Sequence, residues 1–139
     1  MANKIAANIQ HRKLLALDRL QKRGIVQSNI CFICGITPET HEHLFIFCEY
    51  SRRCMELMQQ KLHIRFSAAY MVTWFSKNRT KSRLQRVVSG ACFVGLISGI
   101  WHVRNCARLS HQVTAPMVLV NQVWKETKER LIHKNRKDA

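Results

Sequence analysis

Residues 31–48 read CFICGITPETHEHLFIFC and place three cysteines and two histidines within eighteen positions. No other stretch restricts the fold as strongly. Thiols and imidazoles packed this densely suit a metal centre, and Cys31 and Cys34 form a C-x2-C turn that Gly35 lets curl back on itself. His43 and Cys48 complete a C-x2-C-x8-H-x4-C set. Zinc takes four such ligands in a tetrahedron, and a set filled entirely by protein describes a structural site rather than one that activates water. His41 is the rival ligand. If 41–47 is helical, His41 lies a rise of about 10 Å before Cys48, against about 7.5 Å for His43. The shorter span favours His43.

The rest of the 139-residue chain reads as helical, with a hydrophobic fraction of 47% that can supply a core. Residues 4–23 lack Pro and Gly, and Ile5, Ile9, Leu14, Leu17 and Leu20 fall near one helical face that Gly24 would terminate. Thr40 is placed to cap a short helix from near His41, and a Met- and Leu-rich helix is expected over 50–63. WFSKNRTKSRLQR, 74–86, has the composition of a basic connection. Residues 87–103 contain no charged side chain; at seventeen residues they fall short of the about 20 a membrane span needs and read as a buried core helix. Thr114 as N-cap and Pro116 in the first turn open a last helix with Met117, Val120, Trp124 and Leu131 near one face, followed by Lys134, Arg136 and Lys137 as a frayed tail. The expected fold is mainly α, a small helical domain with one zinc-stabilised CCHC loop. Its parts are a basic N-terminal helix (1–30), the zinc segment with its helix (31–66), and a basic connection with C-terminal helices packing on the same core (67–139). Cys54, Cys92 and Cys106 read as small buried hydrophobes on helices.

Charge narrows the partners. Twenty-three Lys and Arg against eight Asp and Glu give +15, which favours a polyanion, nucleic acid ahead of a membrane surface. The four acids and four bases of 31–66 cancel, while 67–112 hold seven bases and no acid. Lys77, Arg79, Lys81, Arg83 and Arg86 are the expected phosphate contacts, with Trp74 or Phe75 for stacking and Arg12 and Lys13 on a second basic surface. Catalysis is not expected. Asp18 and Asp138 lie at opposite ends, so no carboxylate cluster exists for two-metal chemistry, and the C-x2-C precedes the histidine, the reverse of a zinc deaminase. With no apolar leader at the N-terminus, the expected location is intracellular, in nucleus or cytoplasm. The mitochondrial matrix is the alternative, because basic residues and no acid precede Asp18.

LALDRLQKRGI, CFICG, ETHEHLFIFCEYSRR and the downstream IWHVRN at 100–105 together resemble a known family. It is the zinc-binding domain that follows the reverse transcriptase in plant LINE-type (non-LTR) retrotransposons. The resemblance implies zinc held by Cys31, Cys34, His43 and Cys48, the set that spacing selects. It aligns Glu39 and Thr40 with the pair before the histidine, and Trp101, Arg104 and Asn105 with a W-x2-RN helix; Arg104 thereby joins the expected nucleic-acid contacts. It further implies a nucleic-acid-binding appendage, RNA more than DNA. Ala16 stands where the family often has Thr or Ser, which suggests one longer N-terminal helix, and Met55 where tryptophan is common. No Tyr-x-Asp-Asp site is present, so polymerisation does not carry over. The alternative function is an assembly subunit of a ribonucleoprotein, docking a partner helix on the face of Gly95 and Gly99.

Overall fold

The computed structural model describes residues 15–64 and 82–138. Arg12, Lys13, Trp74, Phe75, Lys77, Arg79 and Lys81 lie outside the described residues. In chain order the elements are α1 (Leu17–Lys22), a π-helical turn (His43–Phe47), α2 (Glu49–Leu62), α3 (Arg83–Ser110) and α4 (Pro116–Lys137). Among the described residues no strand forms; the nearest approach is an isolated antiparallel bridge between Ile30 and Pro38.

Helix α1 is shorter than its apolar spacing suggests. Ala16 is extended (φ −64°, ψ 161°), so a continuous helix over 4–23 is interrupted there. Its far end closes as expected: Gly24 adopts φ +71°, its N–H donates to the Gln21 carbonyl, and Ile25 N–H donates to Leu20. That paired 6→1 and 5→2 pattern satisfies carbonyls the helix would otherwise leave open.

Helix α3 begins earlier than expected, at Arg83 rather than near Val87. Ser82 accepts from the Gln85 N–H while the Gln85 side chain accepts from the Ser82 N–H. This reciprocal box starts a helix inside what composition marks as a connection. Helix α4 begins at Pro116 with Ala115 as its uncapped N-cap residue. Thr114 does not cap it; its carbonyl accepts from the Tyr50 hydroxyl at 2.6 Å, tying α2 to the α3–α4 connection. Lys134, Arg136 and Lys137 are not a frayed tail but the last turn of α4, where cations complement the helix dipole.

One core joins the zinc segment, α2, α3 and α4. Cys31, Leu44, Phe45, Met55 and Met58 from the zinc segment and α2 pack with Phe93, Leu96 and Ile100 of α3 and Leu119, Val120 and Val123 of α4. By length and composition α3 could cross a membrane. Here its apolar face is instead turned onto α2 and α4, with Cys92, Leu96 and Ile100 fully buried. Met55 is buried in this core.

The Gly95–Gly99 face is not left for a partner, as the assembly reading would need, because α4 occupies it. A Cβ on Gly95 would lie 2.9 Å from Val123 Cγ1, and one on Gly99 2.5 Å from Leu119 Cδ1. Alanine would regain about 1 kcal/mol of helix propensity and blunt a test. The bulkier Gly95→Val, set against the stiff Val123, is expected to lower stability by about 1–3 kcal/mol through overpacking. Urea unfolding reads this directly; an unchanged midpoint would mean that α3 and α4 do not approach this closely.

Candidate metal centre

The knuckle is built by backbone first. Gly35 N–H donates to the Cys31 carbonyl at 2.8 Å with Gly35 at φ +69°, a conformation that side-chain-bearing residues resist. Cys31 N–H donates to Thr37 at 2.9 Å and Glu39 N–H to Asn29 at 2.7 Å, which folds 29–39 back on itself. Thr40 then opens the next turn: its hydroxyl accepts from the His43 N–H at 3.0 Å and its carbonyl from Leu44.

His43 and Cys48 meet because that turn widens. Five residues along an α-helix leave two side chains about 140° apart. Here residues 43–47 are π-helical, and Cys48 N–H donates to the His43 carbonyl at 2.6 Å, an i→i+5 bond that brings residue 48 round onto the face of residue 43. Single π turns of this kind are frequent at functional sites. Cys48 itself leaves in extended geometry (φ −58°, ψ 132°), and the Ser51 hydroxyl donates to the Leu44 carbonyl, locking the turn to α2.

Cys31, Cys34, His43 and Cys48 thereby converge, their ligand atoms all within 4.8 Å of one another. The donor set fits zinc. Ligand bonds of about 2.3 Å to sulfur and about 2.05 Å to nitrogen set a tetrahedral S–N edge of about 3.6 Å. Cys34 Sγ and His43 Nε2 are 3.4 Å apart. The thiols also perturb one another: a hydrogen bond to Cys48, with burial added, holds Cys31 well above its usual range, and the same bond draws Cys48 down. A divalent cation resolves this competition by stabilising every thiolate at once. With four protein donors the ion would have a structural role. His41 is not in this set; its ring meets Phe45 edge-on at 6.3 Å.

The remaining cysteines divide. Cys54 and Cys92 are fully buried, and burial pushes both thiols up, Cys54 to about 11. Cys106 departs from the expectation of a buried hydrophobe: it is partly exposed, with Sγ 3.5 Å from His102 Nε2.

Of the expected nucleic-acid contacts, Arg83 and Arg86 are exposed, though on the first turn of α3 rather than in a connection. Arg104 must be corrected. It is 1% exposed, and its Nε and Nη2 donate to the Glu39 carboxylate at 2.7–3.1 Å. Nη2 also donates to the Leu15 carbonyl, Nη1 to Asn105 Oδ1, and the guanidinium lies 4.7 Å from the Trp101 ring centroid. No phosphate can reach a group so enclosed.

Glu39 is the residue whose role spacing does not disclose. Fully buried, it accepts from the Leu17 N–H at 3.0 Å, so it caps α1 from 22 residues away where Ala16 has no side chain to do so. Glu39 and Arg104 thus join α1, the knuckle and α3 at one point. The signal for it was the ET pair before the histidine together with W-x2-RN, whose physical partner each half lacked when read alone.

Residues 2–55 match the family model described as zinc-binding in reverse transcriptase, a span that takes in α1, the knuckle, the π turn and the start of α2. No curated protein and no solved structure matches the chain. The four converging donors fit what that description implies, and residues 2–55 are accordingly similar to the zinc-binding domain of reverse transcriptases.

Proposed function

We propose that the chain is a non-catalytic, zinc-dependent nucleic-acid-binding module that prefers RNA. The observation that carries this is the surplus of exposed cations on a chain whose candidate metal centre has all four positions filled by protein. Lys22 and Arg23 at the end of α1, Arg83 and Arg86 on α3, and Lys125, Lys128 and Arg130 on α4 all face solvent. The chain as a whole carries +15. Such a field attracts phosphates, and the zinc holds the scaffold that presents it. The family match agrees with a setting in which nucleic acid is at hand. A protein-assembly role would need a surface other than the Gly95–Gly99 face.

Counterion release provides the test. Affinity falls with salt at a slope of about 0.7–0.9 per phosphate neutralised. Replacing Lys77, Arg79, Lys81, Arg83 and Arg86 with glutamine in the zinc-loaded chain is expected to weaken RNA binding and lower that slope by about three. Failure of the unmodified chain to bind RNA at low salt would end this reading; an unchanged slope would move the contacts to Lys22, Arg23 and α4.

A further inference from the structure

Not every apolar side chain of the zinc segment enters the core. Phe45 does, at 4% exposure, but Phe32 is 41%, Phe47 64% and Ile36 79% exposed. Single exposed hydrophobics are ordinary. Two exposed phenylalanines on a short, tightly held segment are less so, since full burial of each would return about 1.5–3 kcal/mol. Both are also rigidly based. Phe32 lies inside the Cys31–Gly35 turn closed by the Gly35 N–H to Cys31 bond, and Phe47 precedes Cys48, whose N–H is fixed on His43. Each ring is therefore one residue from a ligand of the same ion.

We propose that these two rings stack unpaired bases, so that the module's ligand is single-stranded nucleic acid. This rests on the nucleic-acid reading above and goes further by naming the strand state and the contact. Charge placement is what selects the occupant. The segment 31–66 is neutral overall, so phosphate attraction does not centre on it, but Lys22 and Arg23 before it are exposed, as is Arg52 within it. Exposed aromatic rings on a chain with exposed cations suit a single strand, which offers base faces to stack and phosphates to attract. Duplexes keep their base faces within the stack and offer nothing to these rings. Stacking does not displace counterions, so its contribution leaves the salt slope untouched.

The test uses the intact zinc-loaded chain, an unstructured single-stranded RNA and an RNA duplex of equal length. With Phe32→Leu and Phe47→Leu combined, affinity for the single strand is expected to fall about tenfold or more. Zinc content, salt slope and duplex affinity should stay as they are. Phe32→Trp with Phe47→Trp should restore single-strand binding and show fluorescence quenching when RNA is added. Undiminished single-strand affinity in the leucine pair, while the chain still binds RNA, overturns the stacking proposal and leaves the charge-based reading standing. Absence of RNA binding by the unmodified chain overturns both.

Discussion

Treating the zinc-loaded chain with a strong chelator is expected to abolish its cooperative thermal transition, and added Zn2+ should restore it. The magnitudes leave little room for another result. Structural zinc contributes about 10–16 kcal/mol in small metal-folded units at pH 7, while a whole domain is stable by only about 5–15 kcal/mol. In this chain the ion would be shared by the knuckle and the π turn, which supply all four donors. The knuckle is a set of tight backbone turns with one isolated bridge, and the π turn keeps an i→i+5 bond where an α-helix would be the default. Both contribute to the common core through Cys31, Leu44, Phe45 and Cys48, so their release would open the floor beneath α2 and α3. A melting temperature that moves by only a few degrees would show that the helices stand without the ion.

The same experiment separates the ligands. Cys34→Ser is expected to lose stoichiometric metal and to melt as the chelated protein does. His41→Ala should keep one zinc per chain, because its ring is engaged with Phe45 and lies outside the converging set. Loss of metal from the His41 variant with retention in His43→Ala would reverse the assignment.

The ligand set was readable because metal coordination is local here: four donors within eighteen residues leave few ways to close a tetrahedron. The device that closes it was not. Periodicity at 3.6 residues separates His43 from Cys48, and nothing in HLFIF announces a fifth residue in the turn. The early start of α3 was written in the sequence as Ser82 and Gln85, but a capping box amid lysines and arginines looks like any polar linker. The Gly95–Gly99 pattern told that a helix would come close, and not that α4 of the same chain would be the one. Arg104 departs from its sequence expectation for a more general reason. An arginine in a basic chain looks like a phosphate contact until its partner is known, and that partner, Glu39, is 65 residues away.

That pair carries the second large effect. Arg104→Met is expected to cost about 3–5 kcal/mol, because it strands a fully buried carboxylate. Glu39→Gln should cost a similar amount by leaving the guanidinium without its counter-charge, although the amide oxygen can still accept from Leu17. Arg104→Lys should not rescue. A single ammonium cannot reproduce the fork that meets both Glu39 oxygens while also reaching Leu15 and Asn105. The diagnostic variant is the double one, Glu39→Leu with Arg104→Met. It removes both charges together, so it should lose much less than the sum of the singles, keeping mainly the cost of an uncapped α1, about 1 kcal/mol. Amide exchange adds a local readout, since Leu17 N–H should lose protection whenever Glu39 is replaced by leucine. Additive losses measured by urea unfolding would mean that the two side chains are not coupled in solution. A phosphate contact behaves differently again: in zinc-loaded Arg104→Met the salt slope of RNA binding should match that of the unmodified chain, because a guanidinium enclosed by Glu39, Leu15 and Trp101 has no counterions on RNA to release.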